Sequence, residues 1–464
     1  MDGFRASKRG RGGGSPRPPG KRGLPIIGET IEFLRDPTAF TTSRHDRFGS
    51  IFHTHILGKP TVFMRGAAAN HWIYAGDGKY LRNEWSPAIQ RLLGQTSMAM
   101  IDGDEHKARR KLLAPHFKRT VMGECVPPML RVARKHLRRW QTDSELGPIA
   151  IVPRMRALAF EITATYVLGE FSDLGVELDA FSRDFETTTN GMFVLAPVAL
   201  PGTAFARAVA ARERMFTVLD DLVRRRDAEE RSSPDVLSTL LRVRDDQGRP
   251  LPRSTIVDEL HLLLFAGHDT TVVATSNAVF HLAQHPEVAA KARAEQDAMD
   301  TRAYTLESLR AMPYLEAIIK ESMRLIPPIG GAFRVMTRDE EYGGFTIPEG
   351  WRIAIGPRSV HRDPELYPQP DRFRPERWLD AAENDARPPF SWIPFGGGPR
   401  TCLGMHFAML EMHMVLAMLL RGHEWALSPG QDLGHHNLPF PLPKGGAIVE
   451  LRPRDAKGEA KARV

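Results

Sequence analysis

The sequence predicts a mainly α-helical fold with small β-sheets, gathered into a single large domain. Three observations carry this. Most of the chain places its apolar residues at helical spacing. Stretches with strand character are short and confined to two places, one near the start and one after the middle. No Gly/Ser linker or fixed-period repeat divides the 464 residues, a length that serves one big core or two ordinary ones.

The opening "MDGFRASKRGRGGGSPRPPGKRG", residues 1–23, is basic, rich in Gly and Pro, and lacks the apolar core of a signal peptide. It is expected to be a disordered tail. The domain is expected over residues 24–452, with a charged tail over 453–464. "IFHTHILGKPTVFMRG" predicts two strands about a turn at Gly58-Lys59-Pro60. "DEHKARRKLLAPHF", Asp104 to Phe117, predicts a basic helix, and "AFARAVAARERMFTVLDDLVRRRDAEE" a long amphipathic one. "STIVDELHLLLFAGHDTTVVATSNAVFHLAQHP" predicts a helix with Ser254 as N-cap and Pro286 as stop, roughly 48 Å long. Strands return in "YGGFTIPEGWRIAIG" about Pro348-Glu349-Gly350. Pro364 to Pro399 is Pro-rich and irregular, and "HFAMLEMHMVLAMLLRG" is a last helix with Gly422 near its end.

The composition is globular, 42% hydrophobic and 26% charged. The net charge of +7 suits an acidic protein, an anionic membrane surface or nucleic acid, and does not choose among them. Two cysteines exclude a disulfide framework. Seventeen histidines form no HExxH and no CxxC is present, which speaks against a zinc enzyme. No window approaches the ~20 apolar residues of a membrane span, so an intracellular, cytoplasmic protein is expected.

On the long helix, Leu263, Ala266, Gly267, Thr270 and Ala274 share one stripe, almost bald at its middle. Glycine in a helix interior costs up to about 1 kcal/mol relative to alanine, so something flat or bulky is expected against it. Asp269 and Thr270 beside the gap would make a proton path. The alternative is a tight helix crossing, with Thr270 bonded back to its own helix. The helix taken alone favours that alternative.

"FGGGPRTCLG", Phe395 to Gly404, sets Cys402 after a Gly-rich loop and just before a helix. Backbone N–H groups of the loop and the helix N-terminus favour the thiolate. Arg400 adds charge and a fork for a carboxylate. The loop suits a thiolate held against a large planar anion, and haem with its two propionates meets that description. A buried, inert cysteine is the plainer reading of Cys402 without its loop.

Phe395, Gly398, Arg400, Cys402 and Gly404 match the FxxGxRxCxG loop of the cytochrome P450 family, the haem-thiolate monooxygenases, which the chain resembles. "AGHDTT", "ESMR" and "PERW" resemble the family's central-helix, ExxR and third-arginine motifs, in the family's order. The resemblance covers Leu24 to Leu451. It implies the family fold, with the central helix crossing over haem b (iron protoporphyrin IX). It implies Cys402 as proximal iron ligand, with Phe395, Gly398, Gly404, Ala266 and Gly267 at the cofactor. It implies His106, Arg110, Arg334 and Arg400 as propionate donors. Asp269 and Thr270 are the implied catalytic pair, relaying protons and holding oxygen. Glu321, Arg324 and Arg377 are implied to form a structural ionic cluster that holds the cysteine loop.

His268 is expected to point away from the stripe and pack, and Cys125 to be a plain small residue. His361, His435 and His436 receive no role. One oxygen atom of O2 would enter a C–H bond and the other leave as water. Because the chain has no flavin or iron–sulfur motif, an external donor such as a ferredoxin or flavodoxin with its reductase is implied. Arg109 and Lys111 are candidates to face it, the alternative being a solvated basic face.

The resemblance places substrate walls at Gly78–Met100, Met192–Gly202, the bald helix, the stretch after Pro328 and the turn near Pro439. "MFVLAPVALP", residues 192–201, is an entrance lid, a peripheral membrane contact or a buried loop. An apolar substrate is expected. "GLPIIGETIEFLRDP", "FAGHDTT" and "PPIGGAFR" are similar to the branch that includes retinoic-acid hydroxylases and their bacterial relatives, which suggests a retinoid, terpenoid or steroid-like molecule. Two rival readings stand beside this. One is a haem-thiolate enzyme of another type, such as a peroxygenase, isomerase or dehydratase, which the intact Asp269-Thr270 pair disfavours. The other is a non-enzymatic haem-binding or nucleic-acid-binding protein. No nucleic-acid partner is expected, because no recognised motif for one is present.

Overall fold

The computed structural model describes residues 15–118, 122–170, 174–229, 235–299 and 303–454. A helical core is built from α1 (Ala67–Gly76), α2 (Gly103–Leu113), α3 (Val126–Glu145), α4 (Ile151–Leu168), α5 (Leu178–Met192), α6 (Ala204–Ala228), α7 (Arg253–Gln284), α8 (Pro313–Leu325) and α9 (Met405–Gly422), with further helices beside them. The strands are β1 (Gly20–Lys21), β2 (Ile51–Ile56), β3 (Lys59–Met64), β4 (Leu81–Glu84), β5 (Ile149–Ala150), β6 (Ala332–Met336), β7 (Glu340–Tyr342), β8 (Phe345–Ile347), β9 (Arg352–Ile355), β10 (His423–Leu427) and β11 (Ile448–Pro453). They form a six-stranded sheet in the order β1-β2-β3-β9-β6-β4, a three-stranded sheet β10-β11-β5 and the hairpin β7-β8.

α7 is buried on nearly every side, as expected of a helix through the middle of a large core. It starts at Arg253 after Pro252, so Ser254 lies inside the first turn and caps nothing. His285 closes it, and Pro286 opens the next helix, where a missing N–H costs nothing. The β2–β3 turn is Leu57-Gly58, both with positive φ as a two-residue hairpin requires. Lys59 and Pro60 therefore belong to β3 rather than to the turn, and Pro60 precedes the point where β9 joins.

The expected tail is shorter than residues 1–23. Residues 1–14 lie outside the described residues, but from Ser15 the chain packs on the large sheet. Gly20 and Lys21 pair with His53 and Thr54. The carbonyls of Pro16 and Pro19 accept from Thr346 (2.9 Å) and His53 (2.8 Å) N–H groups. Proline removes donors but keeps acceptors, so a Pro-rich segment still serves as an edge. At the other end β11 runs to Pro453, and the rest of the expected C-terminal tail, 455–464, lies outside the described residues.

Candidate active site

Gly396 and Gly398 adopt positive φ in the loop before Cys402. A Cβ on Gly398 would lie 2.7 Å from the Tyr74 carbonyl oxygen, so this glycine exists to press the loop onto α1. Gly404, at the N-cap of α9, has no atom within 4 Å of its would-be Cβ and faces open space. The Cys402 N–H donates to Phe395 O at 2.8 Å, closing the loop. The Cys402 side chain is exposed, yet burial raises its pKa, against the pull of the Gly404 N–H and Arg110. Both hold for a thiol on the wall of an internal space.

His106 and Arg110 of α2, Arg334 of β6 and Arg400 of the loop gather around this position. Arg110 donates to Thr401 O at 2.6 Å. Arg400 reaches Asp77 at 3.3 Å and Asp102 at 2.5 Å, and Arg334 lies 3.8 Å from Asp77. Arg334 and Arg400 thus face two carboxylates, Asp77 and Asp102, neither of which sequence reasoning had singled out, while Arg110 holds a carbonyl. The pKa of buried His106 falls to about 4, through burial and then through Arg400 and Arg110. The three guanidiniums outnumber the two carboxylates, which leaves the cluster positive. This fits the propionate edge of haem.

The stripe on α7 divides in two. A Cβ on Gly267 would lie 2.8 Å from Thr163 Cγ2 of α4, so Gly267 allows a tight helix crossing. Ala266 is solvent-exposed within an otherwise buried helix, and Thr270 beside it is half-buried. The Thr270 hydroxyl donates to Ala266 O at 2.7 Å, the back-bond expected of the helix-crossing alternative. Asp269 is buried and ion-paired with Arg156 of α4 at 2.7 Å, so it does not meet solvent directly. Burial pushes its pKa up, but His268 at 3.5 Å and Arg156 hold it below the ordinary value. His268 packs edge-on against Phe160 and Phe185, and its Nε2 lies 3.1 Å from Arg156 O, as expected of a packing residue.

Behind the loop, Glu321 binds Arg324 through two hydrogen bonds (2.8 and 2.9 Å) and Arg377 at 3.0 Å, all three fully buried. Arg324 also donates to the carbonyls of His361 (2.8 Å) and Pro370 (2.6 Å). Two struts lead from this cluster towards Cys402. In one, Trp378 Nε1 donates to Glu321 at 3.0 Å, and Trp378, Trp392 and Phe395 stack edge-to-face in series. In the other, the Ile393 N–H donates to His361 Nε2 at 2.8 Å. Sequence reasoning left His361 without a role because its partner lies 32 residues away.

Sequence reasoning offered Arg109 to a redox partner, but its side chain is largely buried against Glu259 at 2.6 Å. Lys111 remains exposed. The 192–201 segment is no buried loop, since Leu195, Val198 and Leu200 are exposed. Phe193 at its start meets Phe440 (5.2 Å) and Phe265 (6.5 Å) in an apolar cluster that joins three of the expected substrate walls. His435 Nε2 contacts Asn277 at 2.7 Å, which ties the C-terminal turn to α7. No described helix is long and apolar enough to cross a membrane.

The family model for cytochrome P450 matches residues 18–450. The chain is 36% identical over 437 residues to "Putative cytochrome P450 120" of Synechocystis, covering 94% of this chain and 97% of that protein. It is 33% identical over 450 residues to "Protopanaxadiol 6-hydroxylase" of Panax ginseng, covering 94% and 93%. The solved "Retinoic acid bound cyanobacterial CYP120A1" superposes with a TM-score of 0.87 at 35% identity, over 95% of this chain and all of that one. The chain belongs to the cytochrome P450 family and is a haem monooxygenase that inserts an oxygen atom into a C–H bond of an apolar substrate.

Proposed function

We propose that this monooxygenase hydroxylates a terpenoid-sized apolar molecule, with retinoids the first class to test. The observation that carries the reading is the pairing of an exposed Ala266, beside Thr270, with the Phe193–Phe265–Phe440 cluster. A small side chain leaves room for a reacting carbon, and the aromatic cluster offers an extended apolar wall. The similar structure is titled as bound to retinoic acid and the ginseng relative is named a hydroxylase of protopanaxadiol, which supports both classes.

In this reading haem would supply oxygen activation, which a cysteine thiolate ligand would promote by electron donation. Cys402 is the ligand, deprotonated as iron binds, with the Gly404 N–H and Arg110 stabilising its negative charge. Arg110, Arg334, Arg400 and neutral His106 hold the propionates, and Phe395 and Gly404 flank the ring. Thr270 holds the hydrogen-bonding position next to Ala266. Asp269 passes protons inward, held in place by Arg156, whose 30% exposed guanidinium reaches the solvent that supplies them. Electrons arrive from an external ferredoxin- or flavodoxin-type donor. The exposed Leu195, Val198 and Leu200 make a peripheral membrane contact for substrates that partition into lipid, and the chain works in the cytoplasm.

A spectral panel of retinoids, terpenes, steroids and fatty acids, with small charged metabolites beside them, tests the substrate class. Displacing axial water shifts the Soret band without any redox partner. Shifts from the apolar panel are expected. Shifts from charged metabolites alone would overturn the reading.

A further inference from the structure

Arg358 follows β9, in the short helix Pro357–His361, and lies where three distant stretches of chain meet. Its Nη1 donates to the hydroxyl of Thr38, on the helix Pro37–Phe48, at 3.0 Å and to Asn437 Oδ1 at 3.1 Å. Asn437 belongs to a hairpin closed by the His435–Pro443 bridge and by the His436 N–H, which donates to Leu442 O at 2.9 Å. Three residues on, the same hairpin carries Phe440, whose ring meets Phe193 in the apolar cluster. Three residues of extended chain span about 10 Å, so Arg358 stands at the rim of the space that this cluster walls.

Both partners of Arg358 are neutral, and among the described residues no carboxylate forms an ion pair with it. Asp36 is the acid whose charge it feels, but Asp36 Oδ1 accepts from the Thr38 and Ala39 N–H groups, 3.0 Å each, at the start of their helix. Arg362, a further cation nearby, is paired with Asp371. Burial, and then Arg358 itself, holds His435 neutral at about 4. Burial, and then Arg362, lowers the pKa of Arg358 against the pull of Asp36. The half-buried guanidinium therefore has no counter-charge in contact, a costly arrangement. Elsewhere Arg44, Arg324 and Arg352 each grip one carboxylate, of Glu29, Glu321 and Glu84, by the edge that Nε and Nη2 share. In Arg358 that edge is empty. Its Nε is buried with no acceptor, and its Nη2 makes no bond.

We propose that Arg358 determines specificity for a substrate carboxylate, gripping it by the Nε–Nη2 edge while the apolar body of the molecule lies along the aromatic cluster. The inference rests on the reading above that an apolar molecule fills this space, and narrows that molecule to an amphipathic acid. Thr38 and Asn437 occupy Nη1 and so fix the direction of the fork. A carboxylate supplies the acceptors that Nε and Nη2 lack, two charge-assisted bonds in place of an unsatisfied donor. An ester brings no charge to balance the guanidinium.

Holoenzyme is titrated at pH 8, where carboxyl groups are ionised, with two matched pairs: retinoic acid and methyl retinoate, abietic acid and methyl abietate. The Soret shift reports each Kd. Wild type is expected to bind each acid at least about tenfold tighter than its ester. Arg358→Gln, which keeps a donor for Thr38 or Asn437, is expected to lose that preference through the acids alone, with the ester Kd unchanged. Asn437→Asp sets a carboxylate of this chain against the guanidinium. It too is expected to weaken the acids and spare the esters, and it carries the test if Arg358→Gln fails to fold. A wild type that binds the acids no tighter than the esters overturns the proposal, as does an acid preference that survives in Arg358→Gln or Asn437→Asp. An equal loss of acid and ester overturns it as well, and makes Arg358 only a tether between the hairpin and the helix Pro37–Phe48. In each of these cases ester binding leaves the apolar-substrate reading standing. If no acid and no ester shifts the band, that reading fails and the carboxylate falls with it.

Discussion

Asp269 of α7 and Arg156 of α4 form a 2.7 Å ion pair in which the carboxylate is 2% exposed and the guanidinium 30% exposed. The acid is thus withdrawn from water, and its charge is balanced by a residue that reaches it. Without Arg156 the ionised form loses support, so the pKa of Asp269 rises. A depressed carboxyl adds stability above its unfolded pKa of about 3.8, and that stability is lost as pH falls through the lower folded value. Arg156→Ala is expected to cost about 1–3 kcal/mol in denaturant unfolding, discounted for the partner's exposure. The ascending limb of its pH–rate profile for product is expected at higher pH, with Arg156→Lys intermediate. An unmoved limb would remove Asp269 from the proton path.

Thr270→Ala removes the hydroxyl beside Ala266 and leaves Cys402 untouched. It is expected to consume reductant, release hydrogen peroxide and lose product about tenfold or more, while Thr270→Ser recovers most of the coupling. Product formed per reductant as in wild type would leave Thr270 with only its 2.7 Å back-bond to Ala266 O.

Gly267 on the α7 stripe and Gly404 at the start of α9 should respond differently to one methyl group. Gly267→Ala places a carbon 2.8 Å from Thr163 Cγ2 and is expected to destabilise by about 1–3 kcal/mol. Thr163→Ser removes that methyl and is expected to restore most of the loss in a double-mutant cycle. Gly404→Ala meets nothing within 4 Å and is expected to leave stability within about 1 kcal/mol of wild type, with its effect on haem content instead.

Sequence made some of this legible and concealed the rest for physical reasons. Helix periodicity located α7 and α9, and motif spacing brought Glu321, Arg324 and Arg377 together, because those signals are local or repeat a known pattern. It could not separate Ala266 from Gly267. Both are small residues on one stripe, and only the position of Thr163 on another helix tells which is bald for packing. Asp269 was placed by its helical angle, but its partner Arg156 lies 113 residues away. Residues 15–23 looked like a tail because composition registers missing donors, not the proline carbonyls to which N–H groups of β2 and β8 donate.

His361 gives the Glu321 cluster a pH limit. Its Nε2 accepts from the Ile393 N–H, so the ring must be neutral there, and burial, then Arg324, holds its pKa at about 3. A depressed histidine contributes stability above its ordinary 6.5, lost as pH falls towards 3. His361→Gln, which accepts but does not titrate, is expected to flatten the acid dependence of haem retention between those values. Glu321→Ala, which leaves two buried arginines unpaired, is expected to yield little folded holoprotein, a loss of about 3–5 kcal/mol. Normal haem content in Glu321→Ala would contradict the cluster's role.

The central claim is that Cys402 supplies the thiolate, and one spectrum tests it. Reduced holoprotein exposed to carbon monoxide should show the strongly red-shifted Soret band of thiolate-ligated haem, and Cys402→His should lose that band while still binding haem. A wild-type protein that never shows the band, or a Cys402→His variant that keeps it, would contradict the account.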